Sequence, residues 1–198
     1  ALMADMGFGS ALTRAASYFK AGANYLPRNK KEYDNAVAPE NPQINFTKLK
    51  DLLTTSFTIY YFLTAVCILL LCTLGTALIK NVIYLAGNPI DLWIGFILLI
   101  PYCGISINGV KWRSFLRGLD FIAVEARFST IIGAVKVIIF IILLSFSLSP
   151  AYLIGCLLLL EIIRFYYIKS FVLNWFSKYN VKFENKRYFE KSIFDSLW

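Results

Sequence analysis

Between Ser56 and Ile79 the chain reads SFTIYYFLTAVCILLLCTLGTALI without one charged residue. As a helix rising ~1.5 Å per residue, that run reaches about 36 Å, enough to cross a hydrocarbon layer of about 30 Å. Lipid offers no partner to a bare N–H or C=O, so a segment of this kind has to satisfy its backbone within itself, as a helix does. The rest of the chain agrees, with 58% hydrophobic residues and only 16% charged ones, well away from the soluble average. The sequence therefore reads as an all-α integral membrane protein.

Further apolar runs set the number of crossings. After Lys80, Asn81, Gly87, Asn88 and Pro89, the stretch Leu92–Ile107 resumes with Pro101 inside it, which predicts a short span kinked where proline removes a donor. Phe128 to about Leu148, interrupted by Lys136, and Ala151 to about Ile168 are parted by Ser149-Pro150. Together they exceed one crossing, and proline biases its predecessor away from helix, so a hairpin is expected. The architecture is thus about four transmembrane helices in two antiparallel hairpins, plus interfacial amphipathic helices. Its pieces are an amino-terminal segment (1–55), a first hairpin (56–108), an interfacial loop helix (109–127), a second hairpin (128–168) and a basic aromatic tail (169–198).

Charge tests that count independently, because loops on the cytoplasmic or equivalent side carry an excess of Lys and Arg. Lys48 and Lys50 precede the first run; Lys111, Arg113, Arg117 and Arg127 fill the middle loop; Lys169, Lys178, Lys182, Lys186, Arg187 and Lys191 fill the tail. The two intervening turns hold Lys80 alone. Four spans with both termini inside satisfy every segment. The net charge of +8 consequently points to anionic lipid headgroups as partners, and no nucleic acid is expected.

Outside the spans, aromatic residues recur at helical spacing. Phe8, Leu12, Ala15, Ala16 and Phe19 make one face of a short amino-terminal helix expected to lie on the membrane. The Ala-rich, acid-poor composition around it also resembles a mitochondrial transit segment, which makes the mitochondrial inner membrane, or another intracellular membrane, the suggested home. Trp112, Phe115 and Leu119 in the loop, and Trp175, Phe176, Tyr179 and Trp198 toward the end, are expected to sit at the interface or to dock a partner. Asn45-Phe46-Thr47 fits the glycosylation pattern, on the side its enzyme does not reach.

The chain has no histidine, and its four cysteines, Cys67, Cys72, Cys103 and Cys156, show no CxxC spacing. Histidine-based triads and histidine metal sites are thereby excluded, a zinc site is not indicated, no cofactor or metal is expected, and no phosphate loop, nucleophile elbow or HExxH motif is present. What stands out is charge inside the spans, where it is costly. Lys136 and Glu161 lie equally far from a turn centred between Leu148 and Ser149, so an antiparallel hairpin brings them to one depth; Arg164 lies three residues on, along the same helix face. This intramembrane charge network reads either as a neutralised packing device or as an ion-handling site. The leading expectation is a non-catalytic integral membrane subunit that helps assemble or stabilise a larger membrane complex, not an enzyme. A membrane-shaping hairpin protein and a small channel or transporter using Lys136 and Glu161 are the alternatives.

Overall fold

The computed structural model describes residues 7–26, 43–84, 89–146 and 149–181. Four of its helices are long and apolar enough to cross a membrane, and the protein is an all-α integral membrane protein. A short helix, α1 (Phe8–Lys20), comes first. Next, a rod begins as α2 (Phe46–Leu70), passes through one π-helical turn (Leu71–Gly75) and ends as α3 (Thr76–Tyr84). Three further helices follow: α4 (Pro89–Gly118), α5 (Ile122–Ser145) and α6 (Pro150–Lys178). The central packing is α4 against α6, with α2 on the other flank of α4 and α5 against α6; α1 lies across α4 and α2.

The second span is longer than expected. Helix α4 has 30 residues and runs through Pro101, so the segment 109–127, expected as a separate interfacial helix, divides: 109–118 continue α4 directly and 122–127 open α5. Asn108-Gly109 does not stop it, because Asn108 donates to the Gly104 carbonyl at 3.0 Å and to Thr64 Oγ1 at 2.7 Å, binding α4 to α2. Helix α4 ends only at Gly118, where Asp120 takes φ 67 and Phe121 N–H reaches back to the Leu116 carbonyl. The same left-handed closure ends α1 at Gly22 and α6 at Asn180. In each case, a carbonyl of the last turn gains a partner that the helix itself cannot supply. The break at Ser149-Pro150 also belongs to the sequence: Ser149 Oγ accepts from Ala151 N–H at 3.2 Å and starts α6.

Helix length exceeds membrane thickness, and that mismatch places the core. Phe46–Lys80 has 35 residues, about 52 Å of helix against a core of about 30 Å. The surplus of α2, α4 and α6 gathers at the end rich in Lys and Arg, called the basic end below. There Leu49, Leu52 and Leu53 from α2, Trp112, Phe115, Leu116 and Leu119 from α4, and Ile168, Val172 and Phe176 from α6 pack into one buried cluster. Helix α1 closes it. The face of α1 read from the sequence is buried, with Leu12, Ala15, Ala16 and Phe19 at 1% exposure or less, but it lies on the protein rather than on lipid. Away from this cluster the spans are largely uncovered: of the 24 residues of α5 only Glu125 and Ile132 are buried. Leu74, Leu78, Ile97, Ile138 and Ile141 are exposed, as a lipid-facing surface requires.

Close helix approaches rest on small residues. A Cβ on Gly118 would stand 2.5 Å from Ala16 Cβ and 2.6 Å from the Thr13 carbonyl oxygen. The α1–α4 crossing therefore depends on that glycine. At the opposite end Gly95 lets α4 meet α6 over Ala151.

Candidate functional site

The intramembrane charges come together at the junction of α4, α5 and α6. Glu161, 1% exposed, lies about 16 Å from the far end of α6 at ~1.5 Å per residue, about midway through the membrane. Lys136 Nζ of α5 donates to its Oε2 at 3.2 Å, and Arg164 Nη2 donates to its Oε1. A Cβ on Gly109 would come within 4.0 Å of that same Oε1, so the absence of a side chain on α4 leaves the carboxylate its room. Lys136 also stands 5.9 Å from the centre of the Tyr102 ring. A carboxylate shared by two cations costs far less in lipid than any of the three alone.

A second carboxylate, missed in the sequence, continues the network toward the basic end. Glu125, 4% exposed, accepts from Arg117 Nε at 3.0 Å and Nη2 at 2.9 Å, and from Ser129 Oγ at 3.0 Å. The four-residue step to Ser129 was the available signal; the approach of Arg117 depends on the tight turn at Asp120, which spacing did not reveal. Arg113 lies on the same face of α4, four residues past Gly109 and four before Arg117, where the charges of Arg164, Glu161, Glu125 and Arg117 all act on it. On the other side of α4, Lys111 is buried at 4% exposure. It donates to Asn108 Oδ1 at 2.9 Å and sits 4.1 Å over the Phe57 ring, a cation–π contact in place of a carboxylate.

The residues expected at a docking interface divide. Trp112, Phe115, Leu119 and Phe176 are each at most 1% exposed and belong to the chain's own core. Their helical spacing was real, but the surface they face is α1, α2 and α6. Trp112 packs edge-on against Phe57 with ring centres 5.2 Å apart, and among the described residues its Nε1 has no acceptor. Trp175 and Tyr179 do reach the surface, with Phe46 of α2 beside them at 5.9 and 5.0 Å. Trp198 lies outside the described residues. Asn45 serves as the cap of α2, accepting from Lys48 N–H at 3.1 Å and donating to the Ala23 carbonyl and to Asn24. All four cysteines are free, with Cys72 exposed on the rod, and among the described residues no group of His, Cys, Asp and Glu is placed to hold a metal.

The arrangement thus offers charge neutralisation within the membrane and apolar or aromatic surface around it. No protein-family model matches the chain, and no curated protein or solved structure gives a match to it.

Proposed function

We propose that this chain is a non-catalytic membrane subunit that packs within a larger membrane protein complex and helps to assemble or stabilise it. One observation carries the reading: the buried carboxylates are held by the chain's own cations, while Trp175 and Tyr179, beside Phe46, remain at the surface. A buried charge with its partners in place is a packing device, whereas ion handling calls for a group free to exchange its ion with water. The Trp175–Tyr179–Phe46 platform adds an aromatic anchor of the kind that interfaces favour. Both termini and the α4–α5 turn lie on the cytoplasmic or equivalent side in this reading, as their Lys and Arg residues require. The membrane is intracellular, with the mitochondrial inner membrane suggested by the amino-terminal composition.

The test is extraction in mild detergent, with native mass and identification of whatever co-migrates. A defined assembly of fixed stoichiometry is expected, and Trp175→Ala with Tyr179→Ala is expected to weaken it. Migration as a monomer or homo-oligomer without partners would overturn the proposal. Wedge-like membrane shaping, which a short span inserted in one leaflet would favour, gains no support from α4 with its 30 residues.

A further inference from the structure

The network at the junction of α4, α5 and α6 is unbalanced. Arg113, Arg117, Lys136 and Arg164 stand against Glu125 and Glu161, leaving two positive charges in excess. Glu161 is taken by Lys136 and Arg164, and Glu125 by Arg117 and Ser129. Among the described residues, Arg113 has no carboxylate within ion-pair distance, although it feels both. It lies at the basic end of its span, about a turn past Gly109, and is half-buried. Arg117, four residues further along α4, keeps its side chain 52% exposed while it holds Glu125.

The surface leading to this point is apolar. Ile122, Ile131, Ile163 and Tyr166 are all more than half exposed on α5 and α6, and Phe128 stacks on Tyr167 at 4.0 Å between these helices. An anion arriving from water would meet Glu125 with little in return from that greasy wall. An anion carried on acyl chains gains both the wall and the excess positive charge, and basic pockets between spans on the cytoplasmic or equivalent side suit phospholipid head groups, toward which a long guanidinium side chain can reach. Guanidinium also matches phosphate with two parallel donors.

We propose that the junction of α4, α5 and α6 holds the phosphate of one anionic phospholipid from the leaflet at the basic end, with Arg113 as its principal contact and Arg164 beside it. The two acids set the limit of affinity, because a phosphate here sits in their field as well; the excess cations overcome it. The bound lipid neutralises the junction and fills the angle between α5 and the α4–α6 pair.

The full chain in nanodiscs of phosphatidylcholine, with or without phosphatidylglycerol, provides the test, read by native mass spectrometry of retained lipid and by thermal melting. Wild type is expected to retain one phosphatidylglycerol and to melt higher when it is present. Arg113→Gln is expected to lower the preference about fivefold, the weight of one basic side chain near the surface, with Arg113→Lys between them and the exposed Arg127→Gln unchanged. Equal retention by wild type and Arg113→Gln would overturn the site. So would the same stabilisation from inorganic phosphate added to phosphatidylcholine discs, which would point to a free anion. If Arg113→Gln does not fold, wild type decides alone: retention without preference for phosphatidylglycerol over phosphatidylcholine rejects the proposal.

Discussion

Glu161 serves two cations, and that asymmetry ranks the substitutions around it. Lys136→Leu leaves the Arg164 pair whole and is expected to be mild. Glu161→Leu strands both Lys136 and Arg164 in or near the hydrocarbon and is expected to cost about 3–5 kcal/mol, the scale for breaking a buried pair from one side. The double change removes the deeper stranded cation and should recover part of that loss. Unfolding of the purified variants in mixed micelles gives the order, and a double variant no more stable than Glu161→Leu would refute the pairing. Glycines separate in the same way. Gly118→Ala forces a methyl against Ala16 Cβ at 2.5 Å and the Thr13 carbonyl at 2.6 Å, where overpacking costs about 1–3 kcal/mol. Gly133→Ala on α5 meets nothing within 4 Å and should be neutral or gain up to about 0.5–1 kcal/mol from helix propensity. Equal melting temperatures for the two alanine variants would show that α1 does not cross α4 at Gly118.

Helix α1 shows how far a helical face can be read from sequence and where reading stops. Its apolar side, Phe8 to Phe19, follows from three- and four-residue spacing, but spacing says nothing about what that side meets, and lipid and protein ask for the same pattern. The answer depends on surplus helix length: α2, α4 and α6 outrun the membrane at one end, and their aromatic and leucine side chains make a surface that α1 covers. Likewise, Trp112, Phe115 and Leu119 were legible as one helical face, while the continuity of α4 through Asn108-Gly109 was not, because it rests on the long-range bond from Asn108 to Thr64. Two contacts hold α1 in place by different means. Lys20 Nζ reaches the Leu119 carbonyl at 3.0 Å and Asp120 Oδ2 at 2.7 Å at the end of α4, but the Asp120 side chain is 71% exposed, so Lys20→Met should cost no more than about 1 kcal/mol. Leu12, 1% exposed, should cost about 2–5 kcal/mol as Leu12→Ala. Thermal melting in detergent compares the pair, and a larger loss for Lys20→Met would mean that α1 is held by charge rather than by burial.

At the scale of the whole molecule, the four spans were legible because lipid imposes a length and a solvent requirement that few sequences meet by accident. The pairing of Lys136 with Glu161 followed from counting along a hairpin. The site at Glu125, Arg113 and Arg117 did not, since it needs the turn at Asp120 and the approach of α4 to α5, neither of which leaves a periodic signal. What the fold adds is polarity along its long axis: a protein-like core with most of the cations at one end, and thinly covered apolar helices toward the other. If the chain crosses the membrane four times, every residue of the basic end lies on one side. Cysteines introduced at the exposed positions Ser17 on α1 and Lys178 at the end of α6 should then react from the same side with a thiol reagent that does not cross membranes. Ser145→Cys, exposed at the far end of α5, should react only from the other. The proposed topology adds a direction, because in it the excess of Lys and Arg would put the Ser17 and Lys178 side in the cytoplasm or its equivalent. Labelling in sealed and in permeabilised membranes reads both results at once. Ser17→Cys and Ser145→Cys reacting from one side would reduce the number of crossings, and Ser17→Cys and Lys178→Cys reacting from opposite sides would break up the core that joins α1 to the end of α6.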